Sequence, residues 1–360
     1  MSTPRAKIEQ TAREIHAKIL RGQKPSVRIP LRALSNVRYR AREGYFELKG
    51  DDKERTLTYN TVKTFAQMLR MMAQAKELVV RRDIATKREM YYISKNWGEC
   101  RFNEQAESDT VMDDLEAMFK LHREQLGFVP EEKGGSVAGR LIVIDRDPAT
   151  SKPIRIDCTK FGSGAYSVPV SVEELKFETC ARFILAIECA GMFQRLVNYN
   201  FARDANCILI SMGGVPTRAC RRFIRRLSES ANIPVYAFVD CDPYGICNIY
   251  RTLKVGSGNA AHVNEFFCVP NATYLGVTPK DIKDYDLPTH PLKPEDIKRA
   301  EDALKNDPFI QHHKAWQEAL QLLLHMGVRA EQQALAAHGL DHVVRKYLPD
   351  KLKATHSFLP

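Results

Sequence analysis

The sequence predicts an α/β protein in two dissimilar halves, helical first and doubly wound afterwards. Three observations carry that reading. Apolar residues recur at helical spacing from about Asn60 to Leu121. Four short apolar runs then alternate with helical segments between Phe183 and Val269. The third run closes on Asp240-Cys241-Asp242-Pro243-Tyr244-Gly245. Strands alternating with helices make a parallel sheet, and such a sheet collects ligands at the carboxyl ends of its strands.

From the N-terminus, Ile8, Ala12, Ile15 and Ile19 share one stripe of a helix over 9–20, which Gly22 and Pro25 stop. The stripe has two readings, docking of a partner or packing on its own domain. Residues 27–58 read as short strands and turns around Gly44 and Gly50-Asp51-Asp52. Val62, Phe65, Leu69 and Met72 form the face of the next helix, and a short one runs from Arg88 to Ser94. A third opens at Ser108 with the stripe Val111, Leu115, Met118 and Leu121, and Gly127 ends it. Strand-like 137–144 follows Gly134-Gly135. Three helices and a β-wing are the pattern of a winged-helix, catabolite-activator-like DNA-binding domain.

The stretch 145–170, rich in Pro, Ser, Gly and charge, reads as a linker or extended arm. Strands are expected at 183–187, 207–210, 235–239 and 266–269, with helices near 192–200, 218–228 and 246–253. The expected division is an N-terminal arm and partner-docking region over 1–60, a winged-helix domain over 61–145, and a sheet domain with a C-terminal helical extension over 146–360.

Composition is consistent with this. Lys+Arg 54 against Asp+Glu 44 gives a net charge of +10, which favours a polyanionic partner. Nine cysteines, an odd number without zinc spacing, read as structural thiols of a reducing cytosol. Neither a signal-peptide pattern nor a membrane-length apolar stretch is found, so an intracellular protein off the membrane is expected: cytoplasmic and nucleoid-associated, or nuclear if eukaryotic.

Glu188 ends the first strand, and Asp240 and Asp242 end the third. A spacing of two puts both aspartates on one side of a strand end. Three carboxylates there would form an oxygen-only site suited to Mg²⁺ rather than zinc. The rival reading of Asp-x-Asp is a solvated turn opening at Asp242-Pro243, and Glu188 on the same sheet edge weighs against it. In the helical half, Arg88 lies one turn before Tyr92, and Lys87 one turn before Tyr91. A phenol with a pKa near ~10 attacks well only when a cation or base favours its anion. Spacing does not choose between the tyrosines.

The string Thr86-Lys87-Arg88-Glu89-Met90-Tyr91-Tyr92-Ile93-Ser94 closely resembles the active-site motif of topoisomerase VI A subunits and their meiotic recombination relatives. Phe183-Ile184-Leu185-Ala186-Ile187-Glu188 and Phe238-Val239-Asp240-Cys241-Asp242-Pro243-Tyr244-Gly245 resemble the acidic motifs of a Toprim domain. Glu188 and Asp240 stand 52 residues apart, room for the intervening βα units. Gly214-Val215-Pro216-Thr217-Arg218, Tyr274-Leu275-Gly276-Val277 and Tyr347-Leu348-Pro349-Asp350-Lys351-Leu352 extend the likeness over nearly the whole chain. Cys241 stands where a glycine is expected, and Cys189-Ala190 where a more polar pair is usual, which raises the question of redox sensitivity.

The resemblance implies a winged-helix domain joined to a Toprim domain. It implies Tyr92 as nucleophile with Arg88 as its basic partner, and Mg²⁺ held by Glu188 and Asp240, with Asp242 direct or through water. It further implies a homodimer whose composite sites pair Tyr92 of one protomer with the acids of the other. The activity implied is a transient double-strand break in DNA through a 5′-phosphotyrosine link. No G-x-x-x-x-G-K-[ST] motif is present, and Gly256-Ser257-Gly258 reads as a turn. The ATPase is therefore expected on another polypeptide, in the family a GHKL-type B subunit that docks on the N-terminal region of its partner in an A2B2 heterotetramer; the Ile8, Ile15 and Ile19 stripe is the candidate surface. Three rival functions stand beside it: a recombination-initiating breaker with the same cleavage residues, a non-catalytic DNA-binding protein that uses only the winged helix and the basic surface, and another Toprim enzyme such as a primase or nuclease, which the tyrosine motif disfavours.

Overall fold

The computed structural model describes residues 3–130, 134–147 and 149–360. It divides into two compact units. One comprises Met1–Arg38, Glu47–Glu132 and Gly258–Glu265, the other Tyr39–Phe46, Lys133–Ser257 and Phe266–Pro360.

In the first unit, α1 (Pro4–Leu20) starts at an N-cap where Thr3 Oγ1 accepts from the Ala6 N–H, with Pro4 in the first turn. Its Ile8 and Ile15 are 2% and 4% exposed and lie in the same apolar cluster as Phe65, Met68, Met72 and Leu115. This corrects the expectation of a docking stripe: its Ile8 and Ile15 are used inside their own unit, while Ala12 and Ile19 of the same stripe are exposed. Burying each isoleucine contributes about 1.5–3 kcal/mol, so the helix gains more by packing here than by waiting for a partner.

The strands β1 (Ser26–Pro30), β2 (Val37–Arg40), β3 (Tyr45–Leu48) and β4 (Asp52–Thr56) follow, with β1 and β4 antiparallel. Residues 1–60 are not a separate arm. Arg32, Lys53 and Arg55 converge on Asp114, which is fully buried in the third long helix of the unit, at 3.0, 3.3 and 2.8 Å. A buried carboxylate with three cations is compensated only while those strands stay in place.

Next come α2 (Val62–Arg81), β5 (Ala85–Thr86), α3 (Lys87–Ser94), α4 (Gln105–Phe119) and β6 (Phe128–Val129). The third long helix, α4, starts three residues before Ser108, whose buried hydroxyl donates to the Gln105 carbonyl at 2.8 Å. It ends at Lys120 in a left-handed conformation rather than at Gly127. Gly127 instead closes a short turn at φ +85, where a Cβ would lie 2.6 Å from Leu78 Cβ. Only glycine fits.

The strand-like stretch after it is no wing of this unit. It splits into β7 (Ser136–Gly139) and β8 (Ile142–Arg146) in the second unit. The expected boundary at 145 therefore moves to the start of β7. The expected linker is also corrected: β8 is the centre of an antiparallel sheet with β9 (Pro153–Asp157) and β11 (Lys176–Glu178), and β10 (Tyr166–Ser167) pairs with β7. Polar, proline-bearing strands with one wet face carry little apolar signal, which is why composition suggests a loop.

The main sheet has the order β10-β7-β13-β12-β14-β15, where β12 is Phe183–Ile187, β13 Cys207–Ser211, β14 Val235–Phe238 and β15 Ala272–Gly276. The last four are parallel, and every residue of β12 and β13 is buried, as expected of a sheet covered on both faces. The helices α5 (Ala190–Asn198), α6 (Phe201–Asp204) and α7 (Arg218–Ala231) supply the crossovers. The expected strand at 266–269 is not one. That apolar run begins as the end of a short helix (Asn264–Phe267) and stops at Pro270, and the strand follows at β15. A four-residue apolar run cannot distinguish buried helix from buried strand.

Candidate active site

Each unit carries one part of the expected chemistry. In the first, α3 is fixed at its start by reciprocal bonds. The Glu89 N–H donates to Thr86 Oγ1 at 3.1 Å, and the Thr86 N–H donates to Glu89 Oε2 at 2.7 Å. That cap sets the phase of the helix, burying Met90 and Ser94 and sending Arg88 and Tyr92 outward.

The two tyrosines then differ sharply. The Tyr91 hydroxyl donates to the Asn103 carbonyl at 2.9 Å, and Lys95 Nζ lies 4.1 Å from its ring centroid. Tyr92 is 57% exposed, and its hydroxyl has no hydrogen-bond partner among the described residues. Arg88, also exposed, forms no ion pair among them. Tyr92 borders a cavity of about 440 Å³ shared with Arg81, Ile84 and Glu89. The Tyr91 hydroxyl is held by structure, whereas the Tyr92 ring touches Tyr91 and its hydroxyl stays unbonded among the described residues.

In the second unit, parallel pairing aligns Ile187 with Phe238, so Glu188 and Asp240 leave adjacent strands side by side. The Asp240 N–H donates to Glu188 Oε2 at 2.9 Å. Asp242 Oδ1 accepts from the Gly245 N–H at 2.6 Å, where a Cβ on residue 245 would meet the Asp240 carbonyl at 2.7 Å. Burial, then the Asp240 charge, pushes Glu188 up to about 8. Asp240 is pushed up to about 6, chiefly by burial, and Asp242 is raised for the same reason.

The segment after β17 (Val328–Arg329), a strand paired with β16 (His290–Pro291), completes this site, and no sequence motif announced it. Cys241 and Ala330 exchange both backbone hydrogen bonds, at 2.8 and 3.1 Å. The Gln332 N–H donates to Asp240 Oδ1 at 2.8 Å, and its side-chain amide donates to the Phe238 carbonyl at 2.6 Å. Arg329 Nη1 stands 3.7 Å from Asp242 Oδ2. Only the fold brings residues 329–332 to 240, so period and spacing carried no trace of them. Cys241 is fully buried and its thiol is pushed well up by burial, which argues against the redox sensitivity raised for it.

Glu188 and Asp240 thus each have one oxygen held by a backbone N–H, and the second oxygen has no hydrogen-bond partner among the described residues. Part-buried carboxylates, of which Asp240 raises the pKa of Glu188 and Asp242 raises both, with an oxygen-only donor set, suit a hard divalent cation by type. Among the described residues no group of three or more His, Cys, Asp or Glu side chains is already closed around a point that could hold a metal ion. The Asp242 carboxylate meets the Gly245 N–H through Oδ1 and the Arg329 guanidinium through Oδ2. No helix among the described residues is long and apolar enough to cross a membrane.

Three family models match the chain. That of the "Type IIB DNA topoisomerase" family covers residues 63–128, and that of the "All-beta domain in DNA topoisomerase VI alpha subunit" covers 131–181. The third, the Toprim domain shared by the topoisomerase 6 A subunit with Spo11, covers 183–352. The second coincides with the β-rich stretch whose composition suggests a linker. The A subunit of type 2 DNA topoisomerase 6 from Methanocaldococcus jannaschii is 51% identical over 98% of this chain and 95% of its own length. That of Methanothermobacter thermautotrophicus is 36% identical over 94% of each, and that of Methanosarcina barkeri 36% over 97% and 94%. With the acids at the strand ends of a Toprim domain and such relatives along its whole length, the chain belongs to the family of type 2 DNA topoisomerase 6 A subunits.

Proposed function

We propose that this chain is the DNA-cleaving and rejoining subunit of a type IIB topoisomerase and that Tyr92 is its nucleophile. The observation that carries the choice is the contrast within the tyrosine pair: the Tyr91 oxygen is occupied by the Asn103 carbonyl, while the Tyr92 oxygen is exposed with Arg88 one turn away. A guanidinium there binds the scissile phosphate and favours the phenolate. The Tyr92 oxygen bonds to phosphorus as the bond to the 3′-oxygen breaks; the phenol proton is released, and the 3′-oxygen takes one up. The link to the 5′-phosphate keeps the energy of the broken bond, so resealing needs no ATP.

Glu188 and Asp240, with Asp242 directly or through water, would hold Mg²⁺. When bound, the ion neutralises charge on the scissile phosphate and the leaving 3′-oxygen. The backbone donors of Asp240, Gln332 and Gly245 orient those carboxylates. The helices α2, α3 and α4 support a DNA-binding reading of the first unit in the manner of a winged helix, without the wing expected at 137–144. Duplex DNA, a second copy of the chain and an ATPase B subunit complete the assembly in this reading, with Tyr92 of one protomer serving the acids of the other. The test is to trap the covalent adduct, digest it, and locate the nucleotide remnant within Glu89–Lys95 by fragment mass spectrometry. A remnant on Tyr92 is expected; one on Tyr91 or outside this peptide overturns the assignment.

A further inference from the structure

Arg329 is one of the part-buried arginines held only loosely, as Arg123 and Arg299 also are, and the one of the three with a loose contact to an acid of the candidate site. With 20% of its side chain exposed, it approaches Asp242 Oδ2 only to 3.7 Å and Asp296 Oδ2 only to 4.0 Å. Its Nε is buried with no hydrogen-bond partner. Arg222, 19% exposed, closes on Glu173 at 2.7 Å, and Arg32, 14% exposed, on Asp114 at 3.0 Å. Charge-assisted pairs normally shorten to about 2.7–2.9 Å, so both contacts of Arg329 are loose. Asp296 is itself shared with Arg299, again loosely, at 3.8 Å. A half-buried guanidinium that two carboxylates hold without engaging has spare donors, and it stands beside Asp242 of the candidate site.

We propose that Arg329 is a phosphate-binding residue of the cleavage site, kept in place by Asp242 and Asp296 and donating its free N–H groups to a backbone phosphate of bound DNA. A planar fork of donors matches two phosphate oxygens, which a carboxylate cluster would otherwise repel. The inference rests on the DNA-cleaving reading given above.

The experiment measures duplex affinity against salt in a Tyr92→Phe parent, which binds without cutting. Adduct formation by the unmodified chain, and binding by the parent, report on the topoisomerase reading; the difference between parent and variants reports on Arg329. Arg329→Gln should lower the slope of log affinity against log salt by about 1. Arg299→Gln, the same charge change at the other arginine that shares Asp296, should leave it unchanged. A slope unaltered by Arg329→Gln, or lowered equally by both variants, overturns the proposal. Arg329→Lys guards against misfolding: it should keep the slope but weaken binding several-fold, because a point charge replaces a fork. Affinity equal to the parent's would also overturn it.

Discussion

The two halves of the candidate site are built in opposite ways. Arg88 and Tyr92 lie one turn apart on a capped eight-residue helix, exposed and, among the described residues, without an ion pair or a hydrogen bond to the phenol oxygen. Glu188, Asp240 and Asp242 are drawn together by sheet pairing, partly buried, and held by donors from as far away as Gln332. The first half is local geometry at little energetic cost. The second concentrates like charge in a poorly solvated place, at a cost visible in raised carboxyl pKa values. In the proposed reading an exposed phenol can reach a partner molecule, and acids that repel one another gain by binding a cation.

The largest expected effect tests the exposed half. Tyr92→Phe should lower adduct formation by on the order of 10³-fold or more, as loss of an acting nucleophile does. Its melting temperature should stay unchanged, since the lost hydroxyl has no partner. Denaturing gels with end-labelled DNA and a thermal melt measure both; an adduct from this variant would break the comparison.

The buried half should behave inversely. Glu188→Ala or Asp240→Ala is expected to reduce cleavage by about 10²-fold or more, with EDTA mimicking them and Asp242→Ala less severe if its metal contact is through water. Yet Glu188→Gln should raise the melting temperature of the metal-free protein at pH 8, because a buried like charge is removed. Undiminished cleavage in chelator would refute the metal role.

Next in size, Arg88→Ala should slow cleavage at saturating DNA by about 10²-fold, the scale of losing one charge-stabilising donor. DNA affinity should change far less. A large binding defect with normal cleavage would make Arg88 an ordinary phosphate contact.

A pH series sharpens the contrast further. Glu188 and Asp240 have raised pKa values, so the folded metal-free chain keeps protons that the unfolded chain has lost. The stability they contribute is present below about pH 4.5 and is lost as pH rises toward about 8. Over the same window magnesium affinity should rise, since the ligands must be deprotonated. Thermal melts from pH 5 to 8 with and without Mg²⁺ should diverge, and parallel curves would contradict the raised values. The smallest effect belongs to Tyr91→Phe, which should keep cleavage and cost about 0.5–1.5 kcal/mol of stability for one hydrogen bond.

What could be read in advance follows the same division. The sequence by itself determined the tyrosine helix, whose cap and i to i+4 face are properties of neighbouring residues, and the apolar strands β12, β13 and β14 with acids following the first and the third. Motif likeness supplied the family, which the relatives bear out. Only the tertiary structure decided that Tyr91 is tied to Asn103 and that Ile8 and Ile15 are core residues of their own unit. It also decided that the polar stretch after β8 is sheet rather than linker, and that Arg329 and Gln332 stand over the aspartates. The physical reason is range. Helical phase and strand burial are written in residues a few positions apart, whereas the partner of a hydroxyl, a stripe or a carboxylate is set by which distant segment the sheet and the core bring against it.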